Sequence, residues 1–300
     1  YEIGSGLVGS EMCIRDSLSG IKVNDVNHYS EMVAWGLKAR VALAMQDYNN
    51  AAVYAGKSVS LAEAGGHRLM TGSQLNCGFA NITTDTKEAM YAAMTPDDKT
   101  VYFYSYYAYM SWNFNSSAIR QGVKCINVDA YETMSETDLR RAWWDPTGEA
   151  SVPSSSYAKN AYQNRKFTAR STADAVGDVA FMRLAEMYLT QAEALARAGK
   201  DSEAQAVFTK FQITRDPSYV SKGNIGDALA EEIMNSRRVE LWGEGFRFYD
   251  LKRLHMSIKR GSNFDIAFCT FLEKDKDAQG WVWEIPKIET DFNSLCTKNY

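Results

Sequence analysis

The chain lacks several features that would point to a particular class of protein. No apolar run approaches the length of about eighteen residues that a membrane-spanning helix needs. The five cysteines, at positions 13, 77, 125, 269 and 296, form no Cys-x-x-Cys pair, so neither a zinc site nor a disulfide framework is indicated. A formal net charge of −4 gives no electrostatic reason to expect a nucleic-acid partner. His28, His67 and His255 are too dispersed for a metal site, and no serine or cysteine lies in a nucleophile elbow, so we expect no metal ion, no cofactor and no catalytic triad.

The chain does have enough apolar material for a large core, with 300 residues of which 45% are hydrophobic and 12% aromatic. Residues 1–17 stand apart, since they have neither an initiator Met nor the basic and apolar regions of a signal peptide. They resemble the translated adaptor remnants found at the ends of assembled metagenomic reading frames. We therefore exclude 1–17 as a non-native segment, treat 18–300 as a single domain, and expect the chain to be an N-terminally truncated fragment.

The clearest periodic pattern lies in residues 179–217 and predicts a helical hairpin. A first helix over 179–199 would place apolar residues three and four positions apart, which is typical of one buried face. Gly199 is expected to stop that helix, and Asp216-Pro217 to end the second one. The predicted buried residues are Phe181, Leu184, Ala185, Tyr188, Ala192, Leu195 and Ala196 in the first helix, and Ala204, Val207, Phe208 and Phe211 in the second.

Residues 28–66 repeat this plan. A helix is predicted from Tyr29 to Met45, followed by a turn at 47–50 and a second helix that begins at Ala51. The first helix is expected to bury Val33, Ala34, Leu37, Val41, Ala44 and Met45. Stacked helix pairs of this kind are typical of tetratricopeptide repeats. We therefore predict a mostly α fold, an α–α superhelix in which tetratricopeptide-like hairpins form a scaffold that is interrupted by a large loop-rich insertion.

The insertion, residues 67–178, is rich in turn-forming residues and contains a dense aromatic stretch at 101–114. Sugars bind to exposed aromatic rings beside amide and charged groups, and loops on a rigid scaffold commonly carry binding sites. Each ring could instead pack the insertion onto the helices, and that alternative stays open for any single residue. The candidate ligand-binding residues are Trp112, Tyr109, Tyr106, Tyr104 and Asn113, with Tyr102 and Tyr107 close by. Of the pair Trp143-Trp144, we expect one to be buried, because neighbours on a helix point about 100° apart.

Charged and apolar residues are interleaved in the first part of the C-terminal segment, residues 225–300, which is expected to form helices and a tail. Ions held against apolar surface must be paired, which predicts a structural network of ion pairs. Glu240 and Glu244 could instead form the carboxylate pair of a glycosidase, but the surrounding arginines would keep both ionised. The expected network contains Glu232, Arg237, Arg238, Glu240, Glu244, Arg247, Asp250 and Arg253. On this interpretation Arg247→Ala lowers stability and leaves ligand affinity unchanged.

Three segments together resemble the RagB/SusD family of nutrient-binding outer membrane lipoproteins. They are RLAEMYLTQAEALARAG at 183–199, RRVELWGEGFRFYDLKR at 237–253, and Ile285-Pro286 followed by Glu289 and Asn293. The second is similar to the family pattern ERR-x-EL-x-x-EG-x-R-x-x-DL-x-R, with Ser236 at a position where the family usually has Glu. Weaker agreement extends over about residues 28–300.

The resemblance implies a non-catalytic protein on the extracellular face of the outer membrane, held there by an N-terminal lipid anchor that this fragment lacks. It also implies that the protein binds an oligosaccharide and delivers it to a TonB-dependent transporter, with ligand contacts from inserted loops and from the missing portion. Two alternatives remain. One is a helical-repeat scaffold that binds a protein or peptide. The other is a hydrolase, which is disfavoured because no acid–base pair is free of arginine neighbours.

Overall fold

In the computed structural model of the chain, which describes residues 26–96, 104–267 and 269–299, helices predominate. The helices are α1 (Glu31–Ala44), α2 (Tyr48–Ala64), α3 (Ile82–Asp85), α4 (Tyr106–Met110), α5 (Ser117–Gln121), α6 (Val128–Tyr131), α7 (Leu184–Arg197), α8 (Asp201–Gln212), α9 (Gly226–Glu240), α10 (Phe246–Arg253) and α11 (Lys287–Phe292), with short 3-10 helices at Gly72–Asn76 and Leu139–Trp143. The strands are β1 (Ala89–Ala93), β2 (Trp144–Asp145), β3 (Gln163–Asn164), β4 (Val179–Arg183), β5 (Ile258–Lys259) and β6 (Glu273–Lys274), paired antiparallel as β1–β4, β2–β3 and β5–β6. The predicted mostly α fold is confirmed.

The first hairpin consists of α1 and α2. The Asp47 side chain accepts a hydrogen bond from the backbone N–H of Asn50 at 3.2 Å and caps α2, which therefore begins at Tyr48 and not at Ala51.

The face of α1 that we expected to be buried is largely exposed. Leu37, Val41 and Met45 are 40%, 59% and 74% exposed, so this part of the prediction is wrong. The buried side is instead the one that carries Gly36 and Ala39. A Cβ atom at Gly36 would lie 2.5 Å from the Met182 sulfur, so the smallest side chain is what lets α1 approach β4.

The second hairpin, α7 and α8, begins five residues later than predicted. Residues 179–183 form β4 and pair with β1, with Ala89 opposite Arg183 and Ala93 opposite Val179. Phe181 is consequently exposed on a strand and does not belong to a helical face. α7 is buried on nearly every side, as expected of a central helix, and it ends before Gly199, whose φ of 75° is favourable for glycine.

Two hydrophobic cores divide the molecule. One fills the space between α1, α2, α7, α8 and α9, and small residues such as Ala51, Ala55 and Ala192 bring these helices close together. The other lies within the insertion and is largely aromatic. Both Trp143 and Trp144 belong to it, contrary to the prediction, because the chain passes from a 3-10 helix into β2 between them and a helical spacing does not apply.

The predicted non-native segment 1–17 lies outside the described residues, and the predicted division of 18–300 into hairpins, insertion and C-terminal part stays a prediction. Among the described residues, every helix is too short or too polar to cross a lipid bilayer.

Candidate functional site

A cluster of charged side chains is buried where the ends of β4, α8 and α9 meet the insertion. We call it the buried charge cluster. Its four acids and four bases are Glu88, Asp138, Glu240 and Glu244 with Arg140, Lys166, Arg183 and Arg215. Equal numbers of opposite charges make the cluster formally neutral, which is the condition under which buried ions are tolerated.

Two arginines organise the buried charge cluster. Arg183 holds Glu244 with both arms of its guanidinium, at 2.8 Å from Nε and 2.8 Å from Nη2, and its Nη1 lies 2.9 Å from Glu240 Oε1. Arg215 holds the two oxygens of Glu240 at 3.0 and 2.9 Å. Lys166 Nζ donates to Glu244 Oε1 at 2.6 Å and to the backbone carbonyls of Glu240 and Trp242 at 2.7 and 3.0 Å. The fork-shaped contacts are the strongest kind of charged hydrogen bond.

These contacts determine the ionisation of the two glutamates. Burial alone would raise the pKa of Glu240, but the charges of Arg215 and Arg183 outweigh burial and hold it well below its usual range. The pKa of Glu244 is lowered in the same way, against burial, by Arg183 and Lys166. Burial lowers the pKa of Lys166 to about 8. Neither glutamate is therefore protonated near neutral pH, and their predicted ion pairing is confirmed.

A second group of ion pairs lies along α10. Asp250 accepts from Arg237 Nε at 3.1 Å through one oxygen and from Arg253 Nε at 2.9 Å through the other, while Arg253 also holds Glu193 at 2.7 Å. The predicted membership of Arg238 and Arg247 is wrong. Neither guanidinium makes a hydrogen bond or an ion pair with any residue that the structure describes. Glu232 is also separate, since it accepts from the Tyr219 hydroxyl at 3.1 Å.

The predicted aromatic site divides into exposed and anchored residues. Tyr104 and Tyr109 are 91% and 44% exposed, whereas Tyr107 is buried and donates its hydroxyl hydrogen bond to the Asp178 carbonyl at 3.0 Å. Tyr107 and Tyr109 are two residues apart on α4 and so point about 200° apart, which explains their opposite environments. Tyr102 lies outside the described residues.

Trp112 and Asn113 are held by the chain that follows β3. Trp112 is half-buried and donates its indole N–H to Thr168 Oγ1 at 2.9 Å. The Arg165 guanidinium lies over its ring, 4.3 Å from the ring centroid. Asn113 is buried, and its amide nitrogen and oxygen bind the carbonyl and N–H of Ala169 at 2.9 and 2.8 Å. Trp112 therefore presents a fixed, partly open ring, and Asn113 serves to hold the backbone.

Tyr106 belongs to a different feature, a pocket of about 660 Å³ between α1, α4, β4 and α10. Its hydroxyl donates to the Gly243 carbonyl at 3.2 Å. The aromatic lining consists of Phe79, Tyr106, Tyr107, Phe167, Phe181, Phe246 and Tyr249. The volume is typical of small-molecule sites. Of the five predicted site residues, only Tyr106 lines this pocket, so the structure does not bring the five together in it.

A row of three rings leads along β1 and β4 to this pocket. The Tyr29 and Tyr91 rings stack with centroids 4.7 Å apart, and Tyr91 lies 5.5 Å from Phe181, which lines the pocket. Sequence reasoning missed this row because it depends on the β1–β4 pairing, a contact between segments far apart in the chain. It also missed Phe246 and Tyr249, although the run Phe246-Arg-Phe-Tyr was visible, because that run was interpreted only in terms of its charges.

Within the described ranges, no group of three or more His, Cys, Asp or Glu side chains is arranged to hold a metal ion.

Comparison with known proteins gives the family. The family model described as "SusD family" matches residues 32–296, so the chain belongs to the SusD family and the predicted resemblance is confirmed. A stretch of 90 residues is 31% identical to "SusD-like protein P38" of Formosa agariphila, covering 27% of this chain and 18% of that protein.

Solved structures agree with this fold. A structure described as a SusD-like carbohydrate binding protein from Bacteroides vulgatus has a TM-score of 0.65 and 26% identity, and the match covers 79% of this chain and 48% of that one. A SusD superfamily protein from Bacteroides thetaiotaomicron has a TM-score of 0.74 at 19% identity, covering 98% of this chain and 65% of that one. The chain therefore spans less than two thirds of the length of these relatives.

Proposed function

We propose that this chain is part of a non-catalytic cell-surface protein that binds oligosaccharide nutrients and delivers them to a TonB-dependent transporter of the outer membrane. Family membership supports the class, and a relative described as carbohydrate binding supports the kind of ligand. A lipid anchor on the extracellular face of the outer membrane belongs to the same proposal, and protease treatment of intact cells would test it.

The observation that carries the ligand assignment is the division of the aromatic segment. Tyr104 and Tyr109 present open rings on the insertion, while Tyr107 and Asn113 anchor the same segment to the core. Exposed aromatic rings on an anchored loop provide the flat apolar surface that the C–H faces of sugars contact. Trp112, fixed by Thr168 and Arg165, adds a third ring to this segment.

The absence of catalysis is proposed on electrostatic grounds. Glycoside hydrolysis needs one carboxylic acid that is protonated near neutral pH. Glu240 and Glu244, the pair that the sequence suggested, are buried and bound by Arg183, which keeps both ionised.

A second candidate, the peptide-binding scaffold, has its own support in a groove of about 610 Å³ between α1, α2 and α7. Trp35 and Leu61 lie in its wall, and grooves between stacked helix pairs are where tetratricopeptide arrays bind extended peptides.

A glycan array followed by titration calorimetry tests the proposal. The double variant Tyr104→Ala/Tyr109→Ala should weaken binding of any oligosaccharide hit by about tenfold, since two stacking rings are lost. Trp283→Ala, at an exposed ring of the C-terminal part, is the matched control and should bind as the wild type does. An array without hits, alongside a peptide that binds, would favour the second candidate. Cleaved product from a hit would contradict the absence of catalysis.

A further inference from the structure

Arg238, in the last turn of α9, and Arg247, in the first turn of α10, are two half-buried arginines with no carboxylate of the described residues within ion-pair distance. Within the part of the chain that the structure describes, neither guanidinium forms an ion pair or a hydrogen bond. Their immediate neighbour Arg237, by contrast, is bound to Asp250 at 3.1 Å.

The nearby acids are already occupied. Asp250 gives one oxygen to Arg237 and the other to Arg253. Glu193 gives one oxygen to both Arg197 and Arg253, at 2.8 and 2.7 Å, and the other to Arg253. Every oxygen of these two carboxylates therefore already accepts from a guanidinium, and neither carboxylate lies within ion-pair distance of Arg247.

The two cations affect each other. Burial, together with the charge of Arg238, lowers the pKa of Arg247 to about 10, although Asp250 acts in the opposite sense. Burial also lowers the pKa of Arg238, against the attraction of Asp129, which lies on α6 and is exposed. Two like charges held near each other and partly out of water are unfavourable until an anion joins them.

We propose that Arg238 and Arg247 together bind the acidic group of a charged sugar, either the carboxylate of a uronic acid or a sulfate ester. Guanidinium groups match such oxyanions with two parallel hydrogen bonds, which a lysine cannot provide. This inference rests on the proposed function, and it narrows the ligand from oligosaccharides in general to acidic ones.

The surface next to the pair favours a sugar as the carrier of the charge. Phe248, the residue after Arg247 on α10, stacks on Trp281 with ring centroids 5.7 Å apart and planes 19° apart. Phe248 is exposed, whereas Tyr249, two positions after Arg247 on the same helix, faces the aromatic pocket. Aromatic rings beside a charge-binding pair are what an acidic pyranose needs, since its ring has an apolar face and its substituent is an anion.

Titration calorimetry with glucuronate, a sulfated monosaccharide, glucose, acetate and inorganic sulfate, all at one ionic strength, tests the proposal on the wild-type chain. Glucuronate or the sulfated sugar should bind, and more tightly than glucose, acetate or inorganic sulfate. Which of the two acidic sugars binds more tightly identifies the acidic group. Binding of glucuronate and the sulfated sugar no tighter than acetate and inorganic sulfate would overturn the proposal.

Variants identify the site. Arg247→Gln and Arg238→Gln should each weaken binding of the acidic sugar by about tenfold or more, because a charged hydrogen bond is lost. Arg247→Lys should recover part of the affinity, since it restores the charge without the fork. Lys200→Gln, an exposed residue in the turn between α7 and α8, removes the same charge and should change nothing. Unaltered thermal unfolding of the arginine variants shows that they fold, and unaltered affinity in them would overturn the proposal.

The titration with acidic sugars and the glycan array that tests the proposed function can fail independently of each other. Neutral oligosaccharides that bind while acidic sugars do not would leave the function standing and remove this inference. If an acidic monosaccharide binds at Arg238 and Arg247 but the array gives no oligosaccharide hit, this inference stands and the proposed function is contradicted.

Discussion

Arg237 and Arg238 are neighbours in the sequence, yet they lie in opposite electrostatic environments. Arg237 is buried and holds Asp250 and Thr190, each at 3.1 Å. Arg238 is half-buried and forms no ion pair or hydrogen bond with any of the described residues. The buried charge cluster and Arg247 differ in the same way. Every charged side chain of the cluster forms an ion pair with one of opposite charge, whereas Arg247 forms none with the described residues. A charged motif therefore does not predict pairing by itself, because pairing depends on how many carboxylate oxygens the fold brings within reach.

The largest effect should come from removing one charge of the buried charge cluster. Glu240→Gln leaves the buried Arg183 and Arg215 short of a carboxylate, which is expected to lower the free energy of unfolding by about 3–5 kcal/mol. Urea denaturation measures it. Glu231→Gln, at an exposed position of the same helix, is the control and should have little effect. A loss for Glu240→Gln as small as that of the control would show that the cluster does not contribute to stability.

Acid should act on the same cluster. The folded protein holds the pKa values of Glu240 and Glu244 below the ordinary value of 4.5, so the unfolded chain takes up protons first as the pH falls. The stabilisation is fully present above pH 4.5 and is lost below it, as the pH falls toward the lowered pKa values. Urea denaturation at a series of pH values should show this loss, with a shallower dependence in Glu240→Gln. Equal slopes in the two proteins would contradict the assignment.

A smaller loss is expected at Arg237. Arg237→Met removes one partner of Asp250, but Arg253 continues to hold that carboxylate, so we expect the unfolding free energy to fall by about 2 kcal/mol. Thermal and urea unfolding measure the change. A loss as large as that of Glu240→Gln would mean that the group along α10 behaves like the buried charge cluster.

The smallest effect should be at Arg247. The sequence pattern suggested that Arg247→Ala would lower stability, but Arg247 has no ion pair to lose within the described part of the chain. Arg247→Gln should change the unfolding free energy by less than about 0.5 kcal/mol in the absence of ligand. A substantial loss in urea denaturation would restore the original interpretation and remove the contrast with Arg237.

The fold was predictable where local pattern is sufficient. Small residues in periodic spacing predicted both hairpins, and Gly199 predicted the end of α7. The start of α7 was not predictable, because residues 179–183 are strand only through their pairing with β1. The exposed side of α1 was also missed, since Leu37 and Val41 repeat as regularly as a buried stripe would, and only tertiary packing shows that the glycine side is buried.

The candidate site was less predictable than the fold. The aromatic stretch indicated a region, but whether each ring faces solvent depends on a single turn of α4, as Tyr107 and Tyr109 demonstrate. That Arg237 is paired and Arg238 is not becomes visible only from the hydrogen bonds of Asp250, which bind Arg237 and Arg253. A sequence pattern does not contain this information.

The pairing of β1 with β4 has a consequence for how the molecule forms and changes. Ala93 and Val179 lie opposite each other, so the two ends of the segment between them meet at one place. The entropy lost in closing such a long segment grows only slowly with its length, so a few residues added at one of its exposed turns should change stability little. Joining ends so distant in sequence does slow folding. The β1–β4 pair therefore joins the two ends of the insertion at one place on the helical frame, while Arg140 and Lys166 tie its interior to Glu240 and Glu244 of the buried charge cluster.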